Sequence, residues 1–134
     1  MKITLCGSMS CAKKMMAVKE RLEKAGHKIF APENILEYVK GEIEIENKRE
    51  KIMLDAIRTY YEKIKKSDAI LVVNFTKNKI KNYIGGNSLI EMAFAHVLRK
   101  KIYLFNPIPR MSYTDEIEAM KPIVVGRSLK KFII

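Results

Sequence analysis

The stretch Ser67-Asp68-Ala69-Ile70-Leu71-Val72-Val73-Asn74-Phe75 has the clearest strand pattern in the chain. Its apolar run does not alternate with polar residues, which is typical of a central parallel strand that helices cover on both faces. Asp68 is placed to cap the turn that leads into this strand. We therefore predict an α/β fold built around it, because such folds alternate strands with covering helices.

Segments on both sides of this strand continue the α/β pattern. Apolar spacing and turn residues predict four further strands, at residues 2–5, 27–31, 101–105 and 122–125. They predict helices at residues 12–25, 52–66 and 114–120, and a further helix that begins at Asn87 or Ser88 as N-cap and runs to residue 98. Residues 33–51 fit an amphipathic helix or a mobile lid equally well. We predict one α/β domain over residues 1–134, with about five mostly parallel strands flanked by helices.

The charge of the chain suggests an anionic partner. The chain has 134 residues and a formal net charge of +11, but its lysines and arginines are spread along its whole length. No nucleic-acid-binding motif accompanies them, so we expect no sequence-specific binding of nucleic acid. A small phosphorylated ligand would satisfy the same charge. The alternative is a charge-driven scaffold, which would bind random DNA tightly and in a salt-sensitive way.

No segment indicates a membrane, a metal or a secretory route. No apolar run reaches the length of a membrane span, and residues 2–5 lead into a strand pattern without a signal-peptide core. Cys6 and Cys11 fit no zinc spacing, and their expected places in a strand and at a helix start argue against a disulfide. His27 and His96 are isolated. We expect a cytoplasmic protein with no membrane partner, metal or cofactor.

A glycine turn and a single acid open the most apolar helix. In Gly85-Gly86-Asn87-Ser88-Leu89-Ile90-Glu91, Asn87 and Ser88 are good helix N-caps, and such a helix start attracts anions. The helix is apolar almost all round, so we expect it to be buried, with Glu91 in its first turn. Ser88 and Glu91 match a capping box, in which the acid only binds the Ser88 backbone N–H. The alternative is that Glu91 faces a pocket as a nucleophile or general base.

A second glycine turn follows the first strand, at Cys6-Gly7-Ser8-Met9-Ser10. Ligands of open α/β sheets bind at the carboxyl ends of the strands, where this turn lies. Its backbone N–H groups and hydroxyls can bind a phosphate or sugar, or the segment is a plain turn with a serine cap. A lysine-rich loop at residues 76–83 precedes the other glycine turn and is either part of an anion site or an ordinary solvated loop.

The order of these motifs resembles the nucleoside 2-deoxyribosyltransferase superfamily, and more closely its 2'-deoxynucleoside 5'-phosphate N-hydrolase branch. The resemblance spans roughly residues 2–107, with motif-level matches at Cys6-Gly7-Ser8 and at residues 85–95. It implies a single-domain flavodoxin-like (Rossmann-like) sandwich and a homodimer or higher homo-oligomer. It also implies a small-molecule nucleotide or nucleoside as ligand, and cleavage of the N-glycosidic bond of a (deoxy)nucleoside 5'-monophosphate by hydrolysis or transfer.

The resemblance assigns roles to individual residues. Glu91 matches the catalytic glutamate that attacks the anomeric carbon of the sugar. Substrate or phosphate binding falls on the two glycine turns, at Gly7, Ser8, Met9, Ser10, Gly85, Gly86, Asn87 and Ser88. Family members that act on unphosphorylated nucleosides carry an acid six positions before the glutamate. Gly85 takes that place here, which favours a phosphorylated ligand.

Two features depart from the pattern of that family. Tyr60 stands where an aspartate usually assists departure of the base, and a tyrosine is a weak acid near neutral pH. The insertion at residues 77–83 is longer than expected. By this match Tyr60 is the candidate for the second catalytic residue, and the alternative is that it faces the core, since it belongs to the apolar helical stripe of residues 52–64. The alternative hypothesis is a module that binds or senses a nucleotide in the same pocket without cleaving it.

Overall fold

The computed structural model describes residues 1–32, 35 and 49–132. Within these ranges lie strands β1 (Lys2–Cys6), β2 (Lys28–Phe30), β3 (Ala69–Val72), β4 (Lys101–Leu104) and β5 (Ile123–Val124). They form one sheet in the order β2-β1-β3-β4-β5, and each neighbouring pair is parallel. This is the predicted α/β architecture, in its flavodoxin-like strand order.

Helices connect the strands and cover both faces of the sheet. They are α1 (Ala12–Lys24), α2 (Arg49–Lys66), α3 (Gly86–Val97) and α4 (Thr114–Ala119), with a short 3-10 turn at Met9–Cys11 before α1. The segment 33–51, interpreted as a helix or a lid, lies outside the described residues except for Ile35 and the start of α2.

Alternate residues of β1, β3 and β4 face two separate cores. The core on the α1 side contains Ile3, Leu5, Met15, Val18, Leu22, Leu71 and Tyr103. The core under α2, α3 and α4 contains Cys6, Tyr60, Ile64, Ile70, Val72, Met92 and Leu104. Because successive side chains of a strand point to opposite faces, Leu5 packs under α1 while Cys6 faces α2 and α3.

The central strand is shorter than its apolar run predicts, because side chains replace the ladder at its carboxyl end. The Asn74 side-chain amide donates to the Asn106 carbonyl oxygen at 2.9 Å, and the Asn106 backbone N–H donates to Asn74 Oδ1 at 2.8 Å. At the other end, Asp68 Oδ2 accepts a hydrogen bond from the Lys2 backbone N–H at 2.8 Å. This bond ties the beginning of β3 to the beginning of β1 across 66 residues of sequence, and is not the predicted cap of the turn that leads into β3.

Helix α3 differs from its prediction in its burial. Its inner face is closed, since Met92 and Ala95 are fully buried, but its outer face exposes Ile90 at 39% and Val97 at 78% of their surface. Ala93, between them, is exposed as well. The expectation of a helix buried almost all round is therefore wrong. One face of α3 packs against the sheet, and the opposite face of the helix leaves an apolar stripe exposed.

Candidate active site

The strand order places the switch point of the sheet at the carboxyl ends of β1 and β3. The chain leaves β1 towards β2 on one side and leaves β3 towards β4 on the other, and ligands of such sheets bind where the direction changes. The turn after β1 begins at Gly7, and the loop after β3 leads to the start of α3 at Gly86. Both predicted glycine turns therefore lie at this edge.

Gly7 brings the two strands close together. A Cβ atom at this position would lie 2.7 Å from Val73 Cγ2 and 2.9 Å from Met15 Cε. Side-chain atoms do not approach that closely, so a larger residue would push β1, α1 and the end of β3 apart at the switch point. Packing therefore requires the glycine, whatever the turn binds.

The turn after Gly7 exposes a small hydroxyl network. Ser8 caps the 3-10 turn by accepting from the Ser10 backbone N–H at 3.3 Å, and the two side-chain oxygens lie 2.8 Å apart. Met9 instead packs against the core on the α1 side. Of the three predicted binding residues in this turn, the serines form the polar surface and Met9 anchors the turn.

Helix α3 begins earlier than its sequence suggests. Gly85 is its N-cap residue, no side chain caps it, and its first turn contains no acidic residue. Ser88 is buried at 3% exposure inside the first turn, while Gly86 and Asn87 are exposed. The expected caps at Asn87 and Ser88 are therefore wrong, because the extended backbone at Gly85 already starts the helix.

This earlier start removes the capping-box interpretation of Glu91. A capping box needs the acid three residues after the N-cap, whereas Glu91 lies six residues after Gly85, in the second turn. Glu91 therefore does not lie in the first turn, and the helix start does not explain its position. Its side chain instead interacts with groups from β1 and α2.

Three side chains surround the partly buried Glu91 carboxyl. Burial raises the pKa of Glu91 from its usual 4.5 to about 8, against the lowering effects of a hydrogen bond with the Cys6 thiol and of the Lys63 charge. Burial also raises the pKa of Cys6 and that of Tyr60, and the negative charge of Glu91 adds to both shifts. The carboxyl is therefore mostly protonated at neutral pH and, once ionised, is a stronger base than an ordinary carboxylate.

Tyr60 lies beside Glu91, but its proton is already engaged. Its hydroxyl donates to the Leu5 carbonyl oxygen at 2.9 Å, and its side chain is buried at 5% exposure. Lys63, one turn along α2, places Nζ 5.2 Å from the centre of the Tyr60 ring and donates to the Ala31 carbonyl oxygen at 2.7 Å. These bonds hold α2 against the ends of β1 and β2.

The structure adds three residues that the sequence interpretation did not single out. The Cys6 thiol forms a hydrogen bond with Glu91, and the charge of Lys63 lowers the pKa of Glu91. Lys77 of the lysine-rich loop donates to Ser8 Oγ at 3.0 Å. Strand alternation could have identified Cys6, and the spacing from Tyr60 could have identified Lys63, since residues three apart share a helix face. No local pattern distinguishes Lys77 from the other lysines of its loop.

Comparison with protein-family models, curated proteins and solved structures finds no match to this chain. The resemblance to the deoxyribosyltransferase superfamily therefore stays a prediction. Within the described residues, no group of three or more histidine, cysteine or acidic side chains could hold a metal ion, and no helix is long and apolar enough to cross a membrane.

Proposed function

We propose that this protein cleaves the N-glycosidic bond of a nucleoside 5'-monophosphate, with Glu91 as the nucleophile. The observation that carries the proposal is the Glu91 carboxyl, partly buried, with a pKa raised to about 8, at the switch-point edge of the sheet. Desolvation of a carboxylate costs free energy, and acids whose pKa values are strongly shifted are concentrated at functional sites. Because the N-cap of α3 is Gly85, a capping box does not explain the position of Glu91.

The chemistry follows from the properties of a carboxylate next to a sugar. Ionised Glu91 attacks the anomeric carbon as the bond to the base nitrogen breaks, and the electron pair leaves with the base, which takes up a proton from solvent or from a donor in the site. The transition state carries positive charge on the sugar, which the carboxylate stabilises. Water then hydrolyses the glycosyl ester and restores Glu91. An acceptor base in place of water would make the same reaction a transfer.

One observation favours a second function, the binding of a nucleotide without cleavage. The departing base needs a proton, and Tyr60 at the expected acid position directs its hydroxyl hydrogen to the Leu5 carbonyl oxygen at 2.9 Å. For Tyr60 to assist catalysis, this bond must break when substrate binds. If it persists, the pocket holds a nucleotide without a proton donor at that position.

Base release from a panel of nucleotides tests the catalytic proposal. The wild-type protein is incubated with each common deoxynucleoside 5'-monophosphate, and free base is measured by chromatography. We expect release by the wild type and by the exposed-residue control Glu20→Gln, and a loss of at least about 100-fold in Glu91→Gln, since a glutamine cannot form the ester. Equal release by Glu91→Gln, or none by the wild type, would reject Glu91 catalysis.

We also propose that two copies of the chain associate, as the resemblance implies. The exposed stripe of Ile90, Ala93 and Val97 on α3 supports this, because apolar side chains at helical spacing on an outer face are typical of an association surface. Sedimentation velocity measures the mass directly, and a monomer at all accessible concentrations would contradict the proposal.

A further inference from the structure

We propose that Lys77, with Ser10, reads the 5'-phosphate of the ligand and makes this protein prefer nucleotides over nucleosides. The inference rests on the proposed nucleotide ligand but not on catalysis. It starts from a long-range contact. The Lys77 ammonium donates a hydrogen bond of 3.0 Å to Ser8 Oγ, although the two residues are 69 positions apart in the sequence.

A tight turn holds Lys77 in position. Lys77 and Ile80 exchange two backbone hydrogen bonds, of 3.1 Å and 2.9 Å, and the two residues between them have positive φ angles of 51° and 64°. Positive φ at both central positions of a two-residue turn is typical of type I' hairpins. The lysine is therefore presented by a defined hairpin, which is part of the insertion at residues 77–83.

Tyr83 connects this hairpin to the start of α3. Lys77 Nζ lies 5.6 Å from the centre of the Tyr83 ring, and a Cβ added to Gly85 would lie 3.2 Å from Tyr83 Cε1. The Tyr83 ring is thus close both to the lysine and to the N-cap residue of α3. A cation over an aromatic face is attracted to it, which helps to hold the ammonium near the two glycine turns.

The hydrogens of the serine network can be assigned from its contacts. Ser8 Oγ accepts from the Lys77 ammonium and from the Ser10 backbone N–H, which uses both of its lone pairs. Its own hydrogen must then donate to Ser10 Oγ, 2.8 Å away. The Ser10 hydrogen is left with the Cys11 sulfur at 4.0 Å, which is a weak partner.

The network therefore presents more free donors than free acceptors at its tip, since Ser10 Oγ keeps one lone pair while the Ser10 hydroxyl and the Lys77 ammonium supply three hydrogens. Ser10 is exposed and offers its hydroxyl hydrogen, while Lys77 has three N–H donors and uses one on Ser8. In the described ranges no carboxylate pairs with Lys77. A polarised set of donors around a positive charge binds an anion with charge-assisted hydrogen bonds. At the mouth of a nucleotide site, that anion is the 5'-phosphate.

Binding measurements on matched lysine variants test this inference. The full chain carrying Glu91→Gln, which spares the probe from cleavage, is titrated calorimetrically with the four common deoxynucleoside 5'-monophosphates and with their nucleosides. Lys77→Met is compared with Lys81→Met, which removes the same charge from an exposed position of the same loop.

We expect Lys77→Met to weaken monophosphate binding by about 10- to 100-fold, the range of a charge-assisted hydrogen bond, and to leave nucleoside binding unchanged. Ser10→Ala should weaken monophosphate binding by a smaller factor, and Lys81→Met should have no effect. Thermal melts identify any loss of folding, and a merely structural role of Lys77 would weaken both ligands alike.

The outcomes separate this inference from the catalytic proposal. Equal effects of Lys77→Met and Lys81→Met, equal effects on both ligand classes, or no binding of any monophosphate would overturn the inference. Monophosphate binding that depends on Lys77 without base release by the wild type would support it and reject only the catalysis. Base release with an unchanged KM for monophosphate in Lys77→Met would reject only the inference.

Discussion

Replacing Glu91 by glutamine should make the fold more stable, by an amount that grows with pH. The carboxyl has a pKa of about 8 in the folded protein against 4.5 as its usual value. A group whose pKa is raised by folding contributes its full stability below the lower pKa and loses it as the pH rises towards the higher one. Glutamine has nearly the same shape and cannot ionise, so it keeps the properties of the protonated acid.

The size of the effect follows from the distance between these two pKa values. A tenfold difference between the acid dissociation constants of the folded and the unfolded chain corresponds to about 1.4 kcal/mol. Between pH 5 and pH 8 the wild type should therefore lose about 3 kcal/mol of unfolding free energy relative to Glu91→Gln. The two proteins should be nearly equal in stability near pH 4, where the carboxyl is protonated in both the folded and the unfolded chain.

Urea unfolding at several pH values measures this difference. The chain contains no tryptophan, so far-UV circular dichroism is the suitable signal. Other titrating groups are common to both proteins and cancel in the comparison. Glu20→Gln, at an exposed position of α1, should follow the pH dependence of the wild type.

Parallel stability curves for the wild type and Glu91→Gln between pH 5 and pH 8 would refute the reasoning. They would show that the carboxyl ionises in the folded protein as easily as in water. A variant that is less stable at high pH would refute it as well, since the ionised acid would then be stabilised by its neighbours rather than penalised by burial.

Three further predictions follow from the same geometry. For ionised Glu91 as nucleophile, kcat/KM should rise with pH and level off above about pH 8, and a profile that is flat from about pH 6 to pH 9 would contradict this role. Gly7→Ala should destabilise the fold by about 1–3 kcal/mol, because the added Cβ would meet packed atoms. Gly86→Ala has open space around its Cβ and should be neutral or stabilising by up to about 1 kcal/mol, and the denaturant midpoints of the two variants measure this difference. Cys6, at 1% exposure and with its pKa raised by burial, should react with a thiol reagent only on unfolding, while Cys11 should react in the native state; two fast thiols would oppose this.

The sequence by itself determined the class of fold and the place of its main elements. The apolar run at Ala69–Val72 is recognised by its continuity, and the helical stripe that includes Tyr60 and Ile64 by its periodicity; both are local properties of the chain. These two features need no knowledge of which elements pack together, so sequence reasoning reached them. Strand alternation could also have placed Leu5 and Cys6 on opposite faces of β1, but that step was not taken.

Only the tertiary structure decided what surrounds Glu91. The N-cap of α3 at Gly85 excludes the capping box, and the packing of α2 and α3 on the sheet brings Cys6, Tyr60 and Lys63 to one carboxyl. Likewise, Lys77 and Ser8 meet across 69 residues. The physical reason is that a pKa and a hydrogen-bond partner depend on burial and on neighbours distant in sequence, which the order of residues along one segment does not encode.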